Sequence, residues 1–178
     1  KAEIDKELYL LTGYDETTYL DDSHNNKPGR KFGGILVFKL IKNKPVLFWE
    51  SEEYINRMYA RFEDVNNDGV VEIVWDGDFG VTGMNNAFYV YKYNRKGFLL
   101  ITPINNVEGI TPEGVKLKIS TTILSGDGDL TYMKDIDNDG IQEITVGYRD
   151  ENDKIVSKIY KYNGSKYYLW KETPVTIN

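Results

Sequence analysis

Hydrophobic and polar residues alternate along most of this chain, in short runs that are rich in tyrosine, valine and isoleucine. Clear examples are NAFYVYKYN, SKIYKYN and KYYLWKE. A period of two residues is typical of a β-strand, because successive side chains point to opposite faces of a sheet. Between the runs, NRKG and NGS supply the Asn and Gly residues that tight hairpin turns favour at positive φ. The pattern therefore predicts an all-β chain that is built from antiparallel hairpins.

The runs also form an internal repeat. The segment RFEDVNNDGVVEIVWDG matches YMKDIDNDGIQEITVGY, and each copy continues through a second strand, a loop and a closing hairpin. A third copy at the front matches only the later strands and lacks the acidic loop. We therefore expect a single domain over residues 1–178 with about three blade-like repeats, at 8–51 (degenerate), 57–102 and 131–171.

Each complete repeat reads as a four-stranded antiparallel meander. Such a sheet cannot cover its own two faces, so it must stack on its neighbours as propeller blades do. We expect an all-β fold in which the meanders are stacked as blades of a small or partial β-propeller-like structure. The segment 103–130 is long for an ordinary connection, and its GVKLKISTTIL run is a candidate for one or two additional strands.

Two acidic loops share one spacing of oxygen-bearing residues. The first loop contains Asp64, Asn66, Asp68, Gly69 and Glu72, and the second contains Asp135, Asp137, Asp139, Gly140 and Glu143. Oxygen ligands at alternate positions, followed by a glycine and a further carboxylate, can wrap a hard cation, to which the backbone carbonyls of Val70 and Ile141 would add one oxygen each. Oxygen donors favour Ca²⁺ over zinc, copper or nickel, and flexible carboxylate-rich loops favour it over Mg²⁺. We therefore expect two Ca²⁺ sites.

The acidic loops differ from an EF-hand. An EF-hand needs a bidentate Glu at its twelfth position, where these loops carry Trp75 and Val146, and strands rather than helices flank them. The alternative interpretation is a pair of plain solvated turns, for which Asp, Asn and Gly are also suited. Two copies in matching positions favour metal binding. Asp127 and Asp129, just before the second loop, belong either to a simple turn or to an outer part of that site.

The loop pattern D-x-[DN]-x-D-G-x-x-E-[IV], followed by a strand and a Y-x-Y or Y-K-Y-N-G hairpin, resembles the FG-GAP/VCBS-type repeats, best known from integrin-like propellers. The resemblance covers roughly residues 59–101 and 131–171. It implies propeller-like blades with calcium between the first and second strands of a blade. It also implies a ligand set: Asp64, Asn66, Asp68 and Glu72 in one blade, and Asp135, Asp137, Asp139 and Glu143 in the other. Three repeats are fewer than a full seven-bladed ring requires, so a partial, small or distorted propeller and a sandwich of stacked meanders both stay open.

Composition and charge exclude several other classes of protein. The 178 residues include no cysteine, which rules out disulfides and thiolate zinc sites, and the net charge of −6 has the wrong sign for binding nucleic acid. No apolar run approaches the roughly 20 residues that span a bilayer. The single histidine, His24, lies in the polar run DDSHNNKPGR without a G-x-S-x-G motif, so we expect neither a catalytic triad nor an enzyme.

These observations predict a non-enzymatic, calcium-binding protein-recognition module of bacterial FG-GAP/VCBS type. The chain begins at Lys1 rather than Met, as a mature exported protein or a trimmed cytosolic protein would, and we expect the exported class: periplasmic, cell-surface or secreted. Its expected partner is a protein, with a glycan as the weaker alternative, and Tyr14, Asp15, Asp76 and Asp78 are expected on recognition loops. The runner-up is a periplasmic or secreted inhibitor of, or immunity protein against, a lysozyme-like peptidoglycan hydrolase, whose basic surface would suit an acidic chain.

Overall fold

The structure is a computed structural model. It describes residues 1–14, 34–51, 58–79, 85–103, 105–110, 116–121, 123–125, 127–149 and 154–174. Every regular element within these ranges is a β-strand, and all the strand pairs are antiparallel. The all-β class and the meander topology that the alternating pattern predicts are confirmed. None of the described residues forms a helix long and apolar enough to cross a membrane.

The first blade is a four-stranded sheet in the order β1-β2-β3-β4. Its strands are β1 (Ala2–Ile4), β2 (Glu7–Tyr14), β3 (Gly34–Ile41) and β4 (Lys44–Glu50). A two-residue turn replaces the acidic loop, with φ of 51° at Asp5 and 64° at Lys6. Two successive positive φ angles are typical of the hairpin turn whose twist matches its flanking strands. The sheet begins at Ala2, whereas the repeat predicts that the first blade begins at residue 8.

The second blade carries the first acidic loop. Its strands are β5 (Met58–Glu63), β6 (Glu72–Phe79), β7 (Asn85–Tyr93) and the short β8 (Phe98–Leu100). They pair in the order in which they follow along the chain, β5 with β6, β6 with β7 and β7 with β8. The acidic loop joins β5 to β6, which are the first and second strands of the blade.

Segment 103–130 supplies three further strands where the sequence indicates one or two. β9 (Asn105–Ile110) and β10 (Lys116–Thr121) pair with each other as a separate two-stranded sheet. β11 (Ile123–Ser125) extends the second blade, because it pairs with the part of β7 that β8 leaves open.

The third blade repeats the meander and carries the second acidic loop. Its strands are β12 (Asp127–Lys134), β13 (Glu143–Arg149), β14 (Ile155–Tyr162) and β15 (Tyr167–Pro174). They lie in the order β12-β13-β14-β15, and the loop joins β12 to β13. Both acidic loops therefore occupy the same place in their blades.

Several residues expected in loops or turns lie in strands. Asp76 and Asp78 are within β6, and Tyr14 is the last residue of β2. Asp127 and Asp129 belong to β12, because the meander begins earlier than the Gly-rich sequence indicates. The loop prediction is wrong for these residues. The predictions for Asp15 and His24 lie outside the described residues.

The second blade packs against a neighbouring blade on each of its faces. One hydrophobic cluster joins it to the first blade and includes Tyr9, Val37, Ile73, Trp75 and Tyr91. A second cluster joins it to the third blade and includes Val74, Val90, Ile144, Val146 and Tyr167. Strand alternation explains the division, since Ile73 and Trp75 point to one face of β6 and Val74 to the other. All three side chains are fully buried. A sheet with two apolar faces is thereby covered on both sides.

The turn before β8 shows how closely the first two blades approach each other. A Cβ added at Gly97 would lie 2.6 Å from Trp49 Cδ1, so a larger residue would displace the indole ring. That ring packs edge-on against Tyr91, with the ring centroids 5.1 Å apart. The positive φ of the NRKG turn belongs to Arg95, at 68°, and Gly97 is needed for the close contact.

Candidate metal centre

The two acidic loops lie side by side at the junction of the second and third blades. Gln142 N, at the end of the second loop, donates a hydrogen bond to Val65 O in the first loop at 2.8 Å. Its side-chain Nε2 donates to Glu63 Oε1 at 2.9 Å, and its carbonyl accepts from Tyr167 Oη at 2.9 Å. The Gln142 backbone and side chain therefore fix the position of the second loop relative to the first.

Backbone hydrogen bonds to carboxylates curl the second loop. Asp135 Oδ2 accepts from Gly140 N, and Asp139 Oδ1 accepts from Ile141 N, both at 2.9 Å. Asn138 and Gly140 have φ of 60° and 87°, which Asn and Gly adopt more readily than other residues. The Asn-Asp-Gly sequence thus produces a tight loop that gathers its acidic side chains.

Three carboxylates of the second loop converge. One oxygen each from Asp135, Asp137 and Glu143 lies within 4.8 Å of the others. Glu143 is fully buried, and its Oε2 accepts a hydrogen bond from Ile136 N at 2.9 Å. Its Oε1 and Asp135 Oδ1 are buried oxygens without a hydrogen-bond partner. A buried acceptor that lacks a donor is costly, so these two oxygens point to a positive group.

The donor set fits a hard cation. Two oxygens that bind one Ca²⁺ at 2.3–2.6 Å can be up to about 5 Å apart, which agrees with the spread of the three carboxylates. All of these side-chain donors are oxygens, and the buried Asp135 Oδ1 accepts no hydrogen bond. Asp135, Asp137 and Glu143 could therefore hold Ca²⁺, to which Asp139 and the Ile141 carbonyl are further predicted ligands.

A lysine from β14 reaches the same carboxylates. Lys161 Nζ donates hydrogen bonds to Asp137 Oδ2 and, at 2.6 Å, to Asp139 Oδ2. It lies 3.3 Å from Glu143 Oε1, which is an ion-pair distance without hydrogen-bond geometry. The Lys161 hydrogen bond, together with that from Ile141 N, holds the pKa of Asp139 below its usual range. The carboxylates in turn raise the pKa of Lys161, so the ammonium is charged at neutral pH.

The first loop is curled in the same way, but its carboxylate oxygens accept hydrogen bonds from groups within the loop. Asp64 Oδ2 accepts from Gly69 N at 2.9 Å, and Asp64 Oδ1 accepts from Asp68 N at 3.2 Å. Both oxygens of the fully buried Glu72 are also bonded, Oε1 to Asn66 Nδ2 at 2.8 Å and Oε2 to Val65 N at 3.2 Å. Asn66, where the second loop has Asp137, therefore supplies a donor in place of a charge. This loop fits a cation less well.

A lysine also contacts the first loop, from the matching position in β7. Lys92 Nζ donates to Asp68 Oδ2 at 2.7 Å and approaches Tyr162 Oη at 3.4 Å. Burial raises the pKa of Asp68, but the hydrogen bonds from Lys92 and Val70 N more than offset this, and the pKa is lowered overall. Lys92 thus bonds one loop carboxylate, whereas Lys161 bonds two and pairs with a third.

Glu72 gives the first loop a testable pH dependence. Burial, opposed by the Val65 N hydrogen bond, raises its pKa from 4.5 to about 7. The folded protein therefore keeps a proton that the unfolded chain releases in this window, so we expect the free energy of unfolding to fall as pH rises from 4.5 to about 7. Urea unfolding with a chelator present measures the slope. In Glu72→Gln this part of the slope should vanish; an unchanged slope would contradict the assignment.

The structure places the ten predicted ligand residues in two unequal groups. Asp135, Asp137 and Glu143 converge, and Lys161 links Asp139 to them. The corresponding residues of the first loop are Asp64, Asn66, Asp68 and Glu72, which are joined by hydrogen bonds within the loop. Val70 and Ile141 donate their N–H groups to Asp68 and Asp139. The role of their carbonyls as ligands stays a prediction.

Sequence reasoning did not identify the two lysines and Gln142 as parts of the site. A signal for the lysines exists, since Lys92 and Lys161 occupy the same place in the matching runs YVYKYN and KIYKYN. Gln142 carried no such signal, because its partners Glu63 and Val65 belong to another blade. Trp75 and Val146, at the twelfth loop positions, are fully buried in β6 and β13, as the distinction from an EF-hand requires.

Together, the fold and the loops define a class of protein: an all-β chain of stacked meanders with an acidic loop between the first two strands of two blades. Comparison with known proteins finds no matching family model, no matching curated protein and no matching solved structure. Membership of the FG-GAP/VCBS-type repeats therefore stays a prediction that rests on the sequence resemblance.

Proposed function

We propose that the chain is a non-enzymatic calcium-binding module whose principal site is the Asp135–Glu143 loop. The observation that carries the proposal is the buried Asp135 Oδ1, which has no hydrogen-bond partner and belongs to a carboxylate that converges with those of Asp137 and Glu143. Buried carboxylates without donors are stabilised by a cation, and a set made only of oxygens suits Ca²⁺. The first loop is proposed as the weaker of two sites, because hydrogen bonds already occupy Glu72 and Asn66.

A bound ion would tie together the start of β13 and the end of β12. Glu143 is the first residue of β13 and pairs with Lys134, the last residue of β12. Glu143 also anchors Ile136 N, so its carboxylate already bridges the two ends of the loop. Calcium would add charge neutralisation to this bridge, and the protein would gain rigidity at the blade edge.

The proposal includes the wider role expected from the sequence, that of an exported module that recognises a protein. It is supported by the resemblance to FG-GAP/VCBS-type repeats and by exposed aromatic and aliphatic side chains on the described strands. Tyr59, Leu99 and Leu47 are 76%, 59% and 53% exposed. The alternative role as an inhibitor or immunity protein would be separated by pull-down against a panel of peptidoglycan hydrolases, followed by an activity assay.

Isothermal titration calorimetry with CaCl₂ tests the metal-binding proposal. We expect binding with a Kd below about 1 mM and weaker binding of Mg²⁺, which demands a smaller and more rigid octahedron. Glu143→Gln, which keeps an acceptor for Ile136 N but loses the charge, should remove the tighter site. The matched variant in the first loop, Glu72→Gln, should retain it. Absence of calcium binding at 10 mM, or equal losses in the two variants, would refute the assignment.

A further inference from the structure

We propose that Lys161 is an internal competitor of the divalent cation and sets the affinity of the Asp135–Glu143 loop. This inference rests on the proposed function, since it concerns the regulation of the same site. Lys161 Nζ bonds Asp137 Oδ2 and lies 3.3 Å from Glu143 Oε1, and both residues belong to the carboxylate group that fits a metal. The ammonium and a divalent ion would use the same oxygens.

Competition follows from charge and geometry. An ammonium group and a divalent cation repel each other, so both cannot share these carboxylates at close range. Lys161 must withdraw, and its hydrogen bonds to Asp137 and Asp139 must break, before the loop can close around an ion. The measured affinity is therefore the intrinsic affinity of the loop, reduced by the strength with which Lys161 holds it.

The surroundings of Lys161 allow its ammonium group to leave the carboxylates when an ion binds. Its side chain is 17% exposed, and it runs beside the Trp170 ring, whose centroid is 5.1 Å from Nζ. A lysine stem is long, flexible and only partly buried here, so the ammonium can reach solvent without unfolding the loop. Asp135 Oδ1 has no hydrogen-bond partner, so this oxygen can bind an incoming ion before Lys161 leaves.

The second blade, which carries the first acidic loop, provides an internal comparison. Lys92 occupies the matching position but bonds only Asp68 within its loop, at 2.7 Å, and also contacts Tyr162. The two other first-loop acids, Asp64 and Glu72, are bonded by backbone N–H groups and by Asn66. The first loop is thus held mainly by hydrogen bonds, whereas Lys161 is the main counter-charge of the second.

Calorimetry with CaCl₂ on Lys161→Met tests the inference. We expect calcium to bind about tenfold tighter than in the parent, because charge-assisted hydrogen bonds no longer have to break first. Lys171→Met is the matched control: Lys171 lies over the same Trp170 ring, at 3.5 Å from its centroid, and its removal changes the net charge equally. Lys92→Met controls for the loss of the equivalent lysine. Both control variants should keep the parent affinity at the second loop.

Each outcome decides a different point. Tighter binding in Lys161→Met alone supports the inference. Equal affinity in the parent and Lys161→Met leaves the calcium site standing and overturns the inference. Equal gains in Lys161→Met and Lys171→Met also overturn it, because net charge alone would then explain them. If neither protein binds calcium, the proposed function fails and the inference fails with it. Lys161→Gln serves the same test if Lys161→Met does not fold.

Discussion

Calcium in about a hundredfold excess over its Kd should stabilise the fold by about 2.7 kcal/mol, since the native loop binds the ion and the unfolded chain does not. For a chain of this length, that corresponds to a rise in Tm of about 5 to 11 °C. The stabilisation arises because the buried Asp135 Oδ1 acquires a positive partner and Glu143 exchanges the Lys161 ammonium for a divalent ion. Thermal unfolding followed by circular dichroism, in EGTA and in millimolar CaCl₂, measures the difference.

The repeat supplies a matched pair of variants for this prediction. Asp64→Asn and Asp135→Asn alter equivalent turns in the two loops. Asp64 accepts a hydrogen bond from Gly69 N, and Asp135 accepts one from Gly140 N, both at 2.9 Å. Only Asp135 has a buried second oxygen without a partner. Asp135→Asn should therefore abolish most of the calcium-induced rise in Tm, and Asp64→Asn should keep most of it. The same Tm in EGTA and calcium for the parent would contradict the prediction.

Trp75→Ala should cost about 3–5 kcal/mol of stability, the usual range for truncating a buried tryptophan in a well-packed core. The Trp75 side chain is fully buried between the first two blades and packs against Tyr89, with ring centroids 5.0 Å apart. Its removal leaves a cavity where one blade stacks on the next. Urea unfolding in EGTA measures the loss without a contribution from calcium.

Two further variants make the Trp75 result specific. Tyr59→Ala, on the neighbouring strand β5, removes an aromatic ring that is 76% exposed and should change stability by less than about 0.5 kcal/mol. Trp75→Phe keeps a ring and removes an indole N–H that has no hydrogen-bond partner, so its cost should be smaller than that of alanine. A loss below about 1 kcal/mol in Trp75→Ala would show that the blades do not depend on this contact.

Local sequence determines the strands and the acidic loops well. Period-two alternation predicts β7, β14 and β15, and the match between the two repeats predicts β6 and β13 as the strands that follow the acidic loops. The Asn-Asp-Gly runs predict loops with positive φ, which Asn67, Gly69, Asn138 and Gly140 adopt. These features depend on residues that are close along the chain, and they are therefore readable from it.

Features that depend on contacts between distant segments were not predictable in this way. Asp76 and Asp78 look like loop residues, but β6 continues through them because β7 supplies hydrogen-bond partners on its neighbouring edge. Gln142 joins the loops through Val65 and Glu63, which lie in another blade. The difference between the two loops also depends on such contacts, since the position of Lys161 over its carboxylates follows from the pairing of β13 with β14.

A calcium titration followed by ¹H–¹⁵N NMR tests the central claim most directly. Ile136 N–H donates to Glu143 and Gly140 N–H donates to Asp135, so the two amides report on the two carboxylates that carry the assignment. The binding proposed here predicts that the largest shift changes fall on residues 135–143 and that smaller changes on residues 64–72 follow at higher calcium. Unchanged Ile136 and Gly140 resonances in millimolar calcium, or changes confined to other parts of the chain, would contradict it.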